Sequence, residues 1–519
     1  MFALPCMSVD SDGVHGERDT VVEQQQQAAE ADSKMSLPTL TAMVVGSMIG
    51  SGVFLLPRRF AAETGVLGAV IAWTIAGSGM LMLALVFQRL ANRKPALDAG
   101  VYAYAKEGFG DYVGFNSAIG FWASACAGNT SYWVLIMATT SALFPELGDG
   151  ATLLAVAISS VGVWLFFLLI SKGVKQAAVI NRIATVAKVV PLILFIVLAA
   201  VLFSSSNFAD NFKGGNGIEV GSLWHQVTGT MLITVFVFLG IEGASMYSRH
   251  ARKREDVGKA TVFGFLGVLG VFALVTLVSY GSMSQGALAA VEQPSVASVL
   301  GHLVGHWGSV FIRIGVVVSV LGAYLAWTLM AAEILYIPAR AADMPRFLRR
   351  TNKAGAPIAA LVLATAFVQV LLIVVYFVND ALDFMLDLTA SLALVPYLLV
   401  ALYMLQLVWR RETYEDGRGR NKDMVIAILA VAYTVFLVAA AGLDKLLLAC
   451  VLYALAAILF VIARRERKLR VFRPFELILF GVIAISAVVG IILMSTGTEN
   501  IEHYPEHDRY SQHVTDNAN

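Results

Sequence analysis

Residues 44–57 read Val44-Val45-Gly46-Ser47-Met48-Ile49-Gly50-Ser51-Gly52-Val53-Phe54-Leu55-Leu56-Pro57, an apolar run carrying three glycines within seven residues. Each glycine weakens a helix interior by about 1 kcal/mol relative to alanine. A second run reads Phe236-Val237-Phe238-Leu239-Gly240-Ile241-Glu242-Gly243-Ala244-Ser245, where two glycines flank a carboxylate. Both lie in stretches apolar enough to cross a bilayer, so both predict a helix interrupted at membrane depth. Freed backbone groups are tolerable there only where they line a cavity or bind something. The second break comes about five spans after the first, and matched breaks in two five-span halves predict an inverted-repeat transporter. Freed N–H groups at a half-helix N-terminus suit a substrate carboxylate. Close helix packing through small residues is the competing explanation for Gly46, Gly50 and Gly52, and the matched break at Gly240 weighs against it. A phosphate-cradling loop fails, because no strand precedes the glycines and no Lys-Ser/Thr follows them.

Composition points the same way. Of 519 residues, 58% are apolar and only 14% charged, against about 25% charged in a soluble domain. This argues against a cytosolic enzyme, a disordered regulator and a nucleic-acid binder. Thirteen apolar runs of spanning length are expected, near 38–57, 67–88, 112–142, 152–171, 183–203, 223–247, 260–283, 308–338, 357–378, 382–407, 423–441, 444–463 and 474–495. The fold class is therefore an all-α polytopic membrane protein. Its expected parts are a disordered cytoplasmic tail (1–36), two five-helix repeats (37–210 and 211–408), additional membrane helices (409–496) and a polar exterior tail (497–519). No secretory signal opens the chain, and Met35 is a candidate initiator.

The net charge of +1 is uninformative as a total. Its distribution is not. Arg58, Arg59, Lys213, Lys445 and Arg509 are the basic residues expected on one side of the membrane, and Lys188 and Arg313 fall within spans. The rest of the 37 basic residues fall in the N-terminal tail and in the alternate loops, from Arg89–Lys106 to Arg464–Arg473. Basic loops face the cytoplasm, which sets the N-terminus inside and the C-terminus outside. Cys6, Cys126 and Cys450 form neither a disulfide framework nor a metal-ligand spacing. No cofactor and no metal are expected. The tail Glu502-His503-Tyr504-Pro505-Glu506-His507 reads as a disordered exterior segment rather than a metal site.

A charge left within a span needs a role or a partner. Glu242 sits mid-span, where it can meet a cation, carry a proton or tie the broken helix together. Glu333 fits a structural role or an inner gate. Lys188 either snorkels to the interface or neutralises carbonyls freed by a broken helix. Arg313 is expected to snorkel or pair at the rim. Phe121, Trp122, Tyr132, Phe236 and Trp327 lie near the breaks. Aromatic faces can hold a cation in a dry site without a second fixed charge, but packing is the commoner role of any single ring.

The stretch Gly46–Pro57 resembles the first-helix signature of the amino acid–polyamine–organocation superfamily. Asp98-Ala99-Gly100-Val101-Tyr102-Ala103-Tyr104-Ala105 with Phe109-Gly110 looks like its segment between helices 2 and 3, and Phe238–Ala244 like its sixth-helix break. Gly322–Glu333, Leu394-Val395-Pro396-Tyr397-Leu398 and the extra C-terminal span are similar to its basic amino acid group, which holds arginine/ornithine antiporters and lysine permeases. The resemblance runs from about Met35 to Thr496. It implies a five-plus-five inverted repeat, as in LeuT-like transporters, with helices 1 and 6 unwound around the substrate in a bacterial cytoplasmic membrane. It also implies a substrate carboxylate at Ser51 and Gly52, and an α-amino group on carbonyls near Met48 and in the sixth-helix break around Gly240. Ile49 and Gly50 complete the first break. Phe236 falls where a relative stacks a tryptophan on the guanidinium, and Phe121 where it has a tyrosine. Trp327 matches a tryptophan on the substrate's aliphatic part, Asn129 a polar contact, and Glu242 a proton-sensing carboxylate. Lys188 resembles a lysine standing where sodium binds in sodium-coupled cousins.

The expected function is exchange of arginine for ornithine by alternating access, with arginine, ornithine and lysine as candidate substrates and the lipid bilayer as partner. A homodimer is compatible with the sequence. The alternative is a lysine or basic amino acid permease working as uniporter or proton-coupled importer. A membrane-embedded enzyme lacks its motifs, and a non-transporting sensor lacks an added soluble domain.

Overall fold

The computed structural model describes residues 36–97, 100–173, 177–242, 254–414, 417 and 419–495. Gly243–Ser245 and both tails, including Cys6 and Glu502–His507, lie outside the described residues. Within them the ordered elements are helices: α1 (Leu37–Met48), α2 (Leu56–Glu63), α3 (Val66–Arg93), α4 (Val101–Phe109), α5 (Asp111–Thr140), α6 (Leu153–Ser171), α7 (Ala177–Val201), α8 (Ser205–Asp210), α9 (Leu223–Gly229) and α10 (Met231–Phe238). From residue 254 onward come α11 (Arg254–Ser279), α12 (Gln285–Ala290), α13 (Ser295–Val304), α14 (His306–Arg340), α15 (Ile358–Val375), α16 (Ala381–Trp409), α17 (Arg420–Ala441), α18 (Leu443–Glu466) and α19 (Pro474–Ser495).

Ten helices are long and apolar enough to cross a membrane, and eleven spans result if the pair bent by 45° between Leu40–Met48 and Gly52–Glu63 is one broken span. Thirteen were expected. The shortfall falls on the third and sixth. The third is one 30-residue helix, α5, whose Asn116, Ser117, Ser124, Asn129, Thr130 and Ser131 dilute its hydropathy. Those residues are all buried. α5 packs against α4, α14, α15, α16 and α18, so protein rather than lipid surrounds its polar groups. The sixth is divided into α9 and α10, and helix stops at Phe238.

Lipid supplies no hydrophobic drive for helices to associate, so close approach at small residues takes its place. Gly79 of α3 faces the Tyr433 ring of α17, Gly120 of α5 faces Tyr453 of α18, and Gly162 of α6 faces Trp133 of α5. Gly315 of α14 lies against Pro191 of α7. In each case a glycine makes a socket for a ring on the neighbouring helix.

Ion pairs tie loops into two ends. At one end Asp343 accepts from Tyr102 and Lys106 of α4 and meets Arg467, which follows α18. Burial and the Asp343 carboxylate push the Tyr102 hydroxyl up, so it stays a donor. Asp111 pairs with Arg464 at 2.8 Å. Asp423, opening α17, takes Arg93 at 2.9 Å, Arg89 at 3.1 Å and the Tyr414 hydroxyl at 2.8 Å. Loops that charge sorting assigned to one side thus touch one another, and α17 and α18 are fastened to the rest. The opposite end gathers Arg58, Asp149, Glu292 and Asp380 around one cavity. There Arg313 meets Glu292 at 3.5 Å and the Thr139 carbonyl at 3.1 Å, so it pairs at the rim.

The sockets give a test. A Cβ on Gly162 would lie 2.0 Å from the Trp133 ring, whereas one on Gly270 meets nothing within 4 Å. Gly162→Ala is expected to destabilise the detergent-solubilised protein by about 1–3 kcal/mol through overpacking, and Gly270→Ala to leave its melting temperature unchanged or raised. Equal melting temperatures would contradict the packing described.

Candidate functional site

The site is built where the two helix breaks meet. α1 ends at Met48, and chain direction changes before a short 3-10 turn at Gly52–Leu55 leads into α2, which has Pro57 in its first turn. The end of α1 leaves carbonyls without intrahelical partners. Lys188 of α7 answers them: its ammonium donates to the Gly46 carbonyl at 2.6 Å and the Ile49 carbonyl at 2.8 Å. Lys188 is only 5% exposed. Its side chain turns inward to the break rather than to an interface.

The second break mirrors this with opposite charge. Beyond Phe238 the Gly240 N–H donates to both carboxylate oxygens of Glu242, at 3.1 and 3.2 Å. The Tyr397 hydroxyl of α16 donates to the same carboxylate at 2.6 Å. Gly240 has φ +101, and a Cβ there would stand 2.6 Å from the Ser47 carbonyl oxygen. Only glycine fits both the dihedral and the contact. The Ser47 hydroxyl donates across the gap to the Gly240 carbonyl at 3.3 Å.

Beside the paired breaks lies a small cavity of about 20 Å³. Ser47, Met48, Gly50 and Gly52 line it from the first break, Phe236 and Leu239 from the second, Ser124, Gly128 and Tyr132 from α5, Trp327 from α14 and Thr389 from α16. Gly52 holds the first break against α10, since a Cβ would lie 2.6 Å from Val237 and 2.8 Å from the Phe236 ring. The Ser51 hydroxyl is buried with no hydrogen-bond partner. Asn129 donates to the Thr328 hydroxyl at 3.3 Å, and its own amide oxygen is left without a donor.

Of the residues singled out from sequence, Met48, Gly50, Gly52, Tyr132, Phe236 and Trp327 line the cavity. Ile49, Gly240, Glu242 and Lys188 form the breaks beside it. Ser51 and Asn129 are buried polar residues of the first break and of α5. Phe121 is not in the lining, and its ring lies against Tyr397 at 6.3 Å between centroids. Trp122 stacks on Phe367 of α15 at 5.0 Å. Glu333 is half-buried on α14 and takes no part in the cavity.

Sequence reasoning missed Ser47, Ser124, Thr389 and Tyr397. Ser124 and Thr389 are small polar residues in long helices and carry no signal of their own. It also missed a buried ion-pair cluster that lies between residues of the two cavities. Arg59 of α2 meets Asp387 at 2.7 Å and Asp383 at 3.4 Å, both on α16. Gly52 and Thr389 lie on the cavity side of this pair, and Arg58 and Asp383 line the larger cavity beyond it. The signal was present: two carboxylates one turn apart at the start of an apolar run.

Comparison with known proteins places this architecture. An amino acid permease family model matches residues 35–444. An arginine/ornithine antiporter of Pseudomonas aeruginosa is 49% identical over 467 residues, covering 89% of this chain and 97% of the relative. An L-lysine transport protein of Corynebacterium glutamicum is 37% identical, with 91% and 97% covered. An arginine/agmatine antiporter of Chlamydia pneumoniae is 36% identical, with 88% and 96% covered. With its apolar helices, its match to the family model and near full-length similarity to these transporters, the chain belongs to the amino acid permease family.

Proposed function

We propose that the protein exchanges arginine for ornithine across the bacterial cytoplasmic membrane by alternating access. Permeases move solutes and do not transform them, so this is a transporter rather than an enzyme. The observation that carries the reading is the cavity at the paired breaks, bounded by backbone and rings, in a chain 49% identical to an arginine/ornithine antiporter.

The parts fit the substrate as follows. Backbone around Gly50 and Gly52, with the partnerless Ser51 hydroxyl, receives the α-carboxylate, as N–H groups freed at a helix start do. Carbonyls at Met48 and at the Gly240 break receive the α-ammonium. Phe236, Tyr132 and Trp327 supply faces for the guanidinium or side-chain ammonium. Phe236 has no polar ring atom, which favours tolerance among cations, and one relative is named as a lysine transporter. Lys188 occupies carbonyls that a metal cation would otherwise use, which supports independence from sodium. Glu242, held by Tyr397 and Gly240, is the candidate proton-linked group.

Packing supports an inverted five-plus-five arrangement, with the first half's spans equivalent to those five later. α5 packs on α16 as α7 packs on α14, and α1 packs on α11 as α3 packs on α10. The basic end is the cytoplasmic one by the charge rule, which puts Arg59 and its aspartates on the outer side of the cavity as an external gate.

Both substrates carry one net positive charge, so one-for-one exchange is electroneutral. It escapes the roughly 2.3 kcal/mol per charge that each 100 mV imposes. In proteoliposomes, uptake of labelled arginine should require internal ornithine or arginine. Uptake into empty vesicles that rises with an inside-negative potential would establish uniport of a basic amino acid instead. Trp327→Ala should weaken arginine binding at the central cavity about a hundredfold, or ~2.7 kcal/mol, so that this site is empty at concentrations that fill the wild type, with membrane expression retained. Unaltered affinity removes Trp327 from the site. Glu242→Gln should flatten the pH dependence of exchange, and a wild-type pH profile in that variant would end its proton role.

A further inference from the structure

We propose that the large cavity beyond the Arg59 ion pair is a second binding site for a cationic amino acid, held at its carboxylate by Gln293 and Arg58 and at its cationic end by Asp383 and Asp380. This rests on the functional reading above. The cavity holds about 490 Å³ and includes Arg58, Asp149, Glu292, Gln293, Asp380 and Asp383 in its lining.

An excess of carboxylates alone would only attract cations. Two further observations make the place specific. Gln293 is 8% exposed, and its amide oxygen accepts from the Ser295 N–H at 2.8 Å. That bond fixes the amide's orientation and leaves its NH2 buried without an acceptor. Asp383 is 5% exposed, and one of its oxygens meets Arg59 while the other has no hydrogen-bond partner. A buried donor and a buried acceptor thus lie unused on two residues that line one cavity, and such groups are costly to leave unmade. Arg58 has no ion-pair partner among the described residues.

The unused groups define the ligand. Gln293 and Arg58 offer donors to a carboxylate. Asp383, with the half-buried Asp380, offers acceptors to an ammonium or guanidinium. Glu292 is engaged by Arg313 at 3.5 Å, and Asp149 accepts from the Ala151 N–H at 3.1 Å, so these two are less available. A metal ion would use the carboxylates and leave the Gln293 donor idle. A neutral amino acid lacks the second positive charge. A cationic amino acid uses both sets.

Asp383 also links this site to the gate, because it serves both Arg59 and the cavity. A cation seated at Asp383 competes with Arg59 for the same carboxylate, leaving Arg59 with Asp387. Arrival of an external substrate therefore loosens the contact that separates it from the central cavity.

The test is equilibrium binding of labelled arginine to the purified full-length protein, with exchange measured from both sides of the membrane. Wild type should bind two arginines per chain. Trp327→Ala should lose one, and Gln293→Leu combined with Asp380→Asn should lose the other. Gln293→Leu should shift the ratio of external to internal KM by about tenfold. Gln293→Glu, which keeps the acceptor for Ser295, should do the same if the leucine variant folds poorly. One bound arginine in wild type, lost in Trp327→Ala, overturns the second site and leaves the functional reading intact. A KM that responds to Asp380→Asn only at low salt, and not to either Gln293 variant, marks simple attraction and also overturns it. A wild-type protein that binds no arginine, ornithine or lysine overturns both readings together.

Discussion

Two buried charges make the broken helices possible. The Lys188 ammonium serves carbonyls at the end of α1, and the Glu242 carboxylate serves the Gly240 N–H beyond α10. An unsatisfied backbone group in an apolar interior costs several kcal/mol, so without these partners the breaks would close into continuous helix or recruit water. The pairing is reciprocal: a cation meets exposed acceptors, and an anion meets an exposed donor. Neither charge is spent on the cavity itself. Glycines, rings, apolar side chains and small hydroxyl residues line that space, while the charges stand behind it.

The surroundings follow from keeping the two breaks in register. Gly240 and Gly52 let the segments approach until backbone touches backbone and ring. α5 and α16, in contact along their lengths, supply the opposite wall. Many of their hydroxyl side chains bond back to the backbone or across to each other, as in the 2.7 Å bond from the Ser124 hydroxyl to the Thr389 carbonyl. Polarity at depth is thereby confined to places that protein encloses on every side.

The helix breaks were legible because glycine in an apolar run is a backbone signal that needs no partner to interpret. Glu242 was legible for a similar reason, as a charge where charge is expensive. Its partner Tyr397 was not, since nothing in one sequence joins positions 155 residues apart. Lys188 stood close enough to a helix end to suit either an interface or an interior, and only packing decided between them. Trp122 and Trp327 look alike in sequence, yet one stacks on Phe367 and the other faces the cavity. The direction of a ring on a helix buried all round leaves no trace in periodicity. Asp383 and Asp387 carried the same signal as Glu242 and were passed over because they open a span, where charge is common. α5 shows the converse: its length was readable, but a helix enclosed by protein need not be as apolar as one that meets lipid.

The fastenings at the two ends are unequal. At the basic end Asp111, Asp343 and Asp423 bind α3, α4, α17 and α18 into one block. At the other end, besides the rim pair of Arg313 and Glu292, the buried cluster among the described residues is Arg59 with Asp383 and Asp387, which joins α2 to α16. Parting α2 from α16 breaks one such cluster, whereas parting the helices of the basic end breaks three, so the two ends are not mechanical equivalents.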